Sequence, residues 1–388
     1  MSSSLFADIL DRQLVLDILL DYATPATIFC VSRTCWTARR AVQDYTRRTF
    51  NINTHLRRFF TNPISFRCLQ ARTGTVISGS NALQFLDRSF YSDSDLDLYV
   101  YPHHAIDVGN WVMKHGGMEY TFKPILNQHA EFRVAALARP EWSGDEEDED
   151  YKMEGARNLL NFVSADKAKP LTVQIIVTEE APLETIFKFH STVVMNAITF
   201  RAAYSPFPNL TFEKRASVVI RRSALEFVLD KYRNRGYEIL NGLPAIFAKY
   251  RGKKSRYMAF FRDRHMDDKL SWVLPLNMDG IEWPTVSRNT PQLAFDPFAV
   301  NGWTVCEDDD YEMPAFSHAV VHQDTLTFRY ICPVGFFPAI FRNLHELRIG
   351  EDEKRRRHPD NRAVWTWYDY ALYNHVKELL KPRARIRS

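Results

Sequence analysis

The sequence predicts an α+β protein with helices at its amino-terminal end, and three observations lead to this prediction. Residues 5–40 carry apolar side chains at helical spacing. From Thr75 onward, short apolar segments suited to strands alternate with segments suited to helices. Residues 201–388 mix both patterns, and no Gly/Ser/Pro-rich linker separates them from the preceding region. We therefore expect one compact body in which the carboxy-terminal α+β region packs on the central one.

The first predicted region, residues 1–45, contains two or three short helices, the second of which opens at Thr24-Pro25. A unit of this size buries little apolar surface by itself, so its helices must pack on the rest of the chain or on a partner. Residues 46–73 are expected to form a helical connector to the next region.

The segments Asp8 to Tyr22 and Ala26 to Trp36 resemble an F-box, a short helical module that binds a ubiquitin-ligase adaptor. The resemblance implies that residues 5–40 contact such an adaptor. This chain departs from the family pattern because the usual opening Leu-Pro is absent. The alternative is a helical cap that buries its apolar stripe against the following domain.

Residues 74–200 are predicted to form a mixed sheet with helices packed on it. Strands are expected at 75–78 and 95–100, and helices at 81–86 and 106–114, the latter closed by Gly116-Gly117. The segments 159–163 and 171–177 flank a polar turn and predict a hairpin. Residues 143–151 hold six consecutive acids, Asp145 to Asp150, and predict a solvated acidic loop.

Residues 75–100 place a Gly-Ser turn, Gly79-Ser80, ahead of an Asp-x-Asp pair, Asp95 and Asp97. Residues two apart in a strand share a face, so both carboxylates would point the same way. Backbone N–H groups at the start of a helix favour phosphate, and Mg²⁺ in phosphate chemistry takes one or two carboxylates. The alternative is a polar turn whose Asp and Ser side chains bond neighbouring N–H groups.

This arrangement resembles the nucleotidyltransferase superfamily over about residues 74–200. The resemblance implies that Gly79 and Ser80 bind a nucleotide, that Asp95 and Asp97 bind a metal, and that a third carboxylate lies on a later strand. The best candidate strand instead carries Gln174 at the polar-facing position. Asp166 and Asp87 are possible substitutes, but the first lies in the predicted hairpin turn and the second at the end of the motif helix.

The whole pattern resembles fungal proteins that join an F-box-like region to a nucleotidyltransferase-like domain. We therefore expect an adaptor or binding protein whose nucleotidyltransferase-like site is catalytically degenerate and needs no cofactor. The alternative is an active nucleotidyltransferase that uses Mg²⁺ to transfer a nucleoside monophosphate to an acceptor.

The formal net charge of +3 does not by itself indicate nucleic-acid binding. No apolar run approaches the roughly 18 residues that a membrane-spanning helix needs, and the first residues lack the features of a signal peptide. We expect an intracellular protein, cytoplasmic or nuclear, without a membrane partner.

The carboxy-terminal region, residues 201–388, shows no catalytic pattern. Its predicted elements are a helix at 223–233, strands within 320–331 and a final helix from about Val364 to Leu380.

Overall fold

A computed structural model describes residues 9, 12–125, 127–139, 154–221, 226–242, 263–282, 295–308, 313–361 and 365–381. The predicted acidic loop at 143–151 lies outside the described residues, as do Ser223 and Val364, where two helices were predicted to begin. The α+β class is confirmed: amino-terminal helices precede a large mixed sheet. None of the helices in this described part is both long and apolar enough to cross a membrane.

Three helices form the amino-terminal unit: α1 (Gln13–Asp21), α2 (Pro25–Ser32) and α3 (Trp36–Thr49). Thr24 caps α2, as the Thr-Pro pair predicted, because its hydroxyl accepts from the Thr27 N–H at 3.3 Å. The unit has a small hydrophobic core of its own, formed by Leu16, Leu20, Ile28, Ala38, Val42 and Tyr45. It therefore buries part of its apolar surface internally rather than all of it against the sheet.

Arg88 joins this unit to the rest of the protein. Its guanidinium donates to the carbonyl oxygens of Leu20 and Ala23, each at 2.7 Å, and to the Tyr45 hydroxyl at 2.8 Å. Helices α4 (Ile52–Leu56) and α5 (Pro63–Thr73) then lead into the sheet region.

The central sheet has eight strands in the order β11-β7-β6-β1-β2-β5-β4-β3. Its strands are β1 (Val76–Ser78), β2 (Leu96–Val100), β3 (Thr121–Lys123), β4 (Ala156–Val163), β5 (Thr172–Thr178), β6 (Ala197–Ile198), β7 (Ala202–Ser205) and β11 (Trp272–Pro275). Only β2 and β5 pair in parallel, and the other neighbours are antiparallel. The predicted hairpin is confirmed as β4–β5.

The helices of this region are α6 (Gly79–Asp87), α7 (Ala105–His115), α8 (Phe132–Leu137) and α9 (Pro182–Ile186). The predicted boundary between residues 200 and 201 falls between two paired strands, β6 and β7, and β11 extends the same sheet. One continuous hydrophobic core runs from Phe50 to Val376.

The remaining elements flank the sheet. Strands β8 (Ala216–Val219) and β9 (Glu238–Asn241) pair in parallel on either side of α10 (Glu226–Asn234). Strands β10 (Asp263–His265), β12 (Gly302–Asp308) and β13 (Met313–Ser317) form a second sheet, and β14 (Ala319–Val321) pairs with β15 (Tyr330–Cys332). Helices α11 (Phe337–Arg357) and α12 (Asp369–Leu379) complete the fold.

The prediction for the last helix was wrong in its start, because the described helix begins at Asp369. The buried Asp369 carboxylate accepts hydrogen bonds from the N–H groups of Thr327 and Phe328 and from the Tyr330 hydroxyl. This anchors the start of α12 to the segment around the start of β15, and Trp365 and Tyr368 precede the helix.

Candidate functional site

The sequence-predicted residues meet at one end of β1, β2 and β5. Directly paired residues of neighbouring strands point to the same face of a sheet. Ser78 pairs with Asp97, Asp97 with Gln174, and Gln174 with Asn161 on β4. The strand register therefore produces a polar row, Ser78/Asp97/Gln174/Asn161, across four adjacent strands.

The opposite face of the same strands is fully apolar. Ile77, Leu98, Ile175 and Leu160 pair in the same order, and all four side chains are completely buried. Because a shift of one residue would exchange the two faces, burial of this apolar row fixes the position of the polar one.

Gly79 forms the turn between β1 and α6. Its φ of +68° is a left-handed backbone conformation that residues other than glycine rarely adopt. A Cβ atom on this residue would lie 2.6 Å from Asp97 Oδ2. Glycine is thus required here by the backbone and by the close approach of the Asp97 carboxylate.

The Ser80 side chain does not cap the helix, because α6 begins at Gly79 and its capping residue is Ser78. The Ser80 hydroxyl lies 2.8 Å from the Ser94 hydroxyl instead. This contact joins the Gly-Ser turn to the segment that precedes Asp95.

The positive charges near the two aspartates are too few to offset the cost of burying both carboxylates. Burial and the neighbouring Asp95 raise the pKa of Asp97 to about 7, and Lys231 on α10 lowers it in part. Burial also raises the pKa of Asp95, against a hydrogen bond from Thr172 and the charges of Lys231 and Arg58. At neutral pH the pair therefore carries less than two full negative charges unless a cation binds.

Sequence reasoning missed the residues that hold the Asp-x-Asp segment in place. The Arg58 guanidinium donates to the carbonyl oxygens of Tyr91, Ser92 and Ser94 at 2.9, 2.7 and 3.1 Å. Arg58 follows α4, well before the motif in the chain, and no local pattern marks it as part of the site.

A second support comes from His55 on α4 and Asn81 on α6. His55 Nε2 lies 2.8 Å from Asn81 Oδ1, and Asn81 Nδ2 points toward the Asp95 carbonyl oxygen at 3.5 Å. Burial lowers the pKa of His55, so this side chain is neutral at pH 7.

The two alternative third acids are engaged elsewhere. The Asp87 carboxylate accepts from Arg215 at 2.6 Å and from the Tyr237 hydroxyl at 2.9 Å. Asp166 accepts from the N–H groups of Ala168 and Lys169 within the β4–β5 turn. Among the residues that the structure describes, no three His, Cys, Asp or Glu side chains are grouped to hold a metal ion.

Asn161 adds an unexpected feature to the polar row. Its Oδ1 atom is buried and accepts no hydrogen bond within the described ranges. This amide oxygen lies next to Gln174 in the polar row, on the neighbouring strand β4. It can accept a hydrogen bond from a bound molecule or ligate a cation.

A separate candidate surface lies on the amino-terminal unit. Helix α1 exposes the apolar side chains of Leu14, Val15, Ile18 and Leu19, and Tyr22, the residue directly after the helix, is exposed as well. Leu14, Ile18 and Tyr22 are spaced by four residues and form one stripe along the helix. Leu20, in contrast, belongs to the internal core of the unit.

Comparison with known proteins does not assign this fold or this site to a family. No protein-family model, curated protein or solved structure matched the chain.

Proposed function

We propose that this chain is an intracellular adaptor or binding protein whose nucleotidyltransferase-like domain carries a catalytically degenerate site. The observation that carries the proposal is the pairing of Asp97 with Gln174. Gln174 occupies the position beside the Asp-x-Asp pair on the parallel neighbouring strand, where the resemblance implies a third carboxylate. An amide oxygen can ligate a cation but supplies no negative charge.

The electrostatics of the site support the same proposal. Two-metal phosphoryl chemistry requires carboxylates that neutralise and position both ions. Here burial, and after it repulsion from Asp95, raises the pKa of Asp97 to about 7, so the site holds two ionised carboxylates only at a cost in free energy. Two carboxylates and an amide can support at most one weakly held Mg²⁺ ion.

The amino-terminal unit supports the adaptor part of the proposal. An F-box-like module binds its adaptor through apolar helix faces, and α1 leaves such a face exposed outside the internal core. The site of contact would be Leu14, Ile18 and Tyr22, with Leu19 beside them.

The catalytic part is tested by incubating the full chain with α-labelled nucleoside triphosphates, Mg²⁺ or Mn²⁺, and protein or RNA acceptors. We expect no incorporation of label above that of the Asp95→Ala, Asp97→Ala double variant. Metal-dependent transfer by the wild type that the double variant lacks would overturn this part of the proposal.

The adaptor part is tested by pull-down with the ubiquitin-ligase adaptor that F-boxes bind. We expect the wild type to be retained and an Ile18→Asp, Leu19→Asp variant to be lost, since both side chains are exposed and their replacement leaves the internal core intact. Ile349→Asp on α11 is the matched control, because it changes a similarly exposed apolar residue away from α1. Equal recovery of all three proteins would remove the F-box interpretation.

The alternative function is an active Mg²⁺-dependent nucleotidyltransferase. The close approach of Gly79 to Asp97 and the Ser80–Ser94 contact favour it, since they keep the turn and the carboxylates in one place. In that case Asp95 and Asp97 would hold Mg²⁺, and Gly79 and Ser80 would bind the nucleotide phosphates. The transfer assay above separates the two functions.

A further inference from the structure

An open cleft of about 1620 Å³ lies between the amino-terminal unit and the edge of the central sheet. One wall comes from α2 and α3, and the other from the start of α4, β11 and residues 276–279. The cleft contains neither Asp95 nor Asp97, and it does not include the exposed stripe of α1. It is therefore separate from both surfaces used in the proposed function.

Arginines supply most of the charge along the cleft. Arg33, Arg39, Arg47 and Arg48 line it, whereas Asp279 is the only acidic residue among its lining residues. Two of these arginines have acidic partners: Arg48 forms ion pairs with Asp17 on α1 and Asp44 on α3, and Arg47 lies 3.9 Å from Asp44. Arg33 and Arg39 are exposed, and within the described part of the chain neither has a carboxylate in salt-bridge distance.

Two aromatic rings stand among these arginines. Phe29 and Trp36 line the cleft and expose 60% and 75% of their surface. The Arg33 guanidinium lies 5.5 Å from the Phe29 ring centre, and that of Arg39 lies 5.4 Å from the Trp36 ring centre. Each ring is thus paired with one cation and still presents surface to a ligand.

Amide side chains complete the lining. Gln43, Asn51, Asn53 and Asn277 border the cleft. The oxygens of Asn51, Asn53 and Asn277 already accept hydrogen bonds within the protein. Their NH₂ groups can donate to the acceptor edges of unpaired bases, and the Gln43 amide can both donate and accept.

We propose that this cleft binds single-stranded nucleic acid. Arginines attract the phosphate backbone, and exposed aromatic rings stack bases whose faces are free. An acidic peptide would satisfy the arginines but would leave Phe29 and Trp36 without planar partners. The combination of rings with the unpaired charges of Arg33 and Arg39 therefore favours a nucleic-acid strand.

Fluorescence anisotropy with the full chain tests the proposal, using a fluorescein-labelled mixed-sequence RNA of about 16 nucleotides, the upper end of common site sizes. We expect saturable binding that weakens steeply between about 50 and 200 mM salt. Trp36→Ala should weaken binding about tenfold through loss of stacking, and Trp36→Phe should restore most of it.

Charge reversal provides the second test. Arg33→Glu with Arg39→Glu should weaken binding at low salt and lower the slope of log K against log salt by about 1.4, because single strands give about 0.7 per phosphate contact. Arg40→Glu is the matched control, since Arg40 is exposed on α3 but does not line the cleft. Its effect should stay below about twofold because an exposed charge away from the ligand is screened.

Three results would overturn the proposal. They are absence of binding by the wild type at low salt, equal losses for Arg40→Glu and for the cleft variants, and equal displacement of the RNA by an oligoglutamate of the same charge. The last result would assign the cleft to acidic peptides instead. Unchanged circular dichroism and thermal unfolding establish that each variant is folded.

Discussion

The amino-terminal unit and the central sheet differ in where their apolar and polar side chains lie. The unit buries six residues in a core of its own and leaves a stripe on α1 and two aromatic rings on α2 and α3 exposed. The sheet buries a complete apolar row and keeps its polar row, Asp97 and Gln174 included, at strand ends against the turn at Gly79. The unit is thus suited to contact other molecules, whereas the sheet site depends on internal geometry.

Gly79→Ala should have the largest effect on stability, because it changes the backbone turn that lies against Asp97. The new Cβ would occupy a left-handed backbone position and lie 2.6 Å from Asp97 Oδ2. Strain and overpacking together should lower the free energy of unfolding by about 3 kcal/mol in urea titration.

The matched control is Gly350→Ala on α11, where a Cβ would meet nothing within 4 Å. This change in the interior of a helix should raise the free energy of unfolding by about 0.5–1 kcal/mol. Equal effects of the two substitutions would show that the turn at Gly79 does not hold the Asp97 carboxylate closely.

Leu20→Ala tests whether the amino-terminal unit has an independent core. The Leu20 side chain is buried in that core, so its truncation should cost about 2–3 kcal/mol. The loss should appear as faster amide hydrogen exchange in α1–α3, with little change in the sheet.

Leu19→Ala is the matched control, because Leu19 is adjacent in sequence and exposed. Its effect should remain within about 0.5 kcal/mol. Faster exchange throughout the sheet after Leu20→Ala would contradict the idea of two separate cores.

Asp97→Asn addresses the electrostatics of the sheet site. The folded-state pKa of Asp97, about 7, lies above its unfolded value of 3.8, so the folded protein binds the proton more tightly. Ionisation of Asp97 therefore costs stability as pH rises from about 4 to 7, and the cost is complete above pH 7. Without added metal, Asp97→Asn should be more stable than the wild type by about 1–2 kcal/mol at high pH, after allowance for partial solvent access.

The difference should vanish below about pH 3, well under the unfolded pKa of 3.8, where the wild-type carboxyl is protonated in both states. Asp166→Asn, in the exposed β4–β5 turn, is the comparison for a carboxylate outside the site. Thermal unfolding across this pH range gives the measurement, and a gap that is constant with pH would contradict the raised pKa.

The sequence predicted the polar residues of the sheet site better than the residues that hold them in place. Strand alternation was sufficient to place Asp97 on the polar face with Gln174 beside it, because burial of one face determines the other. Asp95 precedes β2, so alternation does not set the direction of its side chain. Arg58 and His55 could not be predicted, since they reach the site through tertiary packing of α4. Helix α11 was missed because ten of its 21 residues are charged and only Ile340, Leu344 and Glu351 are buried.

The cleft could not be predicted from the sequence for a related reason. Its walls join α2 and α3 to residues 274–279, more than two hundred residues later in the chain. Net charge averages over the whole sequence, whereas a ligand senses only the charges within about one screening length.

Gln174→Asp tests metal binding at the sheet site rather than stability. A carboxylate at this position would pair with Asp97 across β2 and β5 and supply the charge that the amide lacks. We expect Mn²⁺ to bind about tenfold more tightly, measured by the loss of the free-ion signal in electron paramagnetic resonance, because charge count tunes the affinity of oxygen-ligand sites. Gln174→Asn keeps an amide and controls for the change in side-chain length. If Gln174→Asp and Gln174→Asn bound Mn²⁺ equally, position 174 would not be the missing third ligand, and the degenerate site would require another explanation.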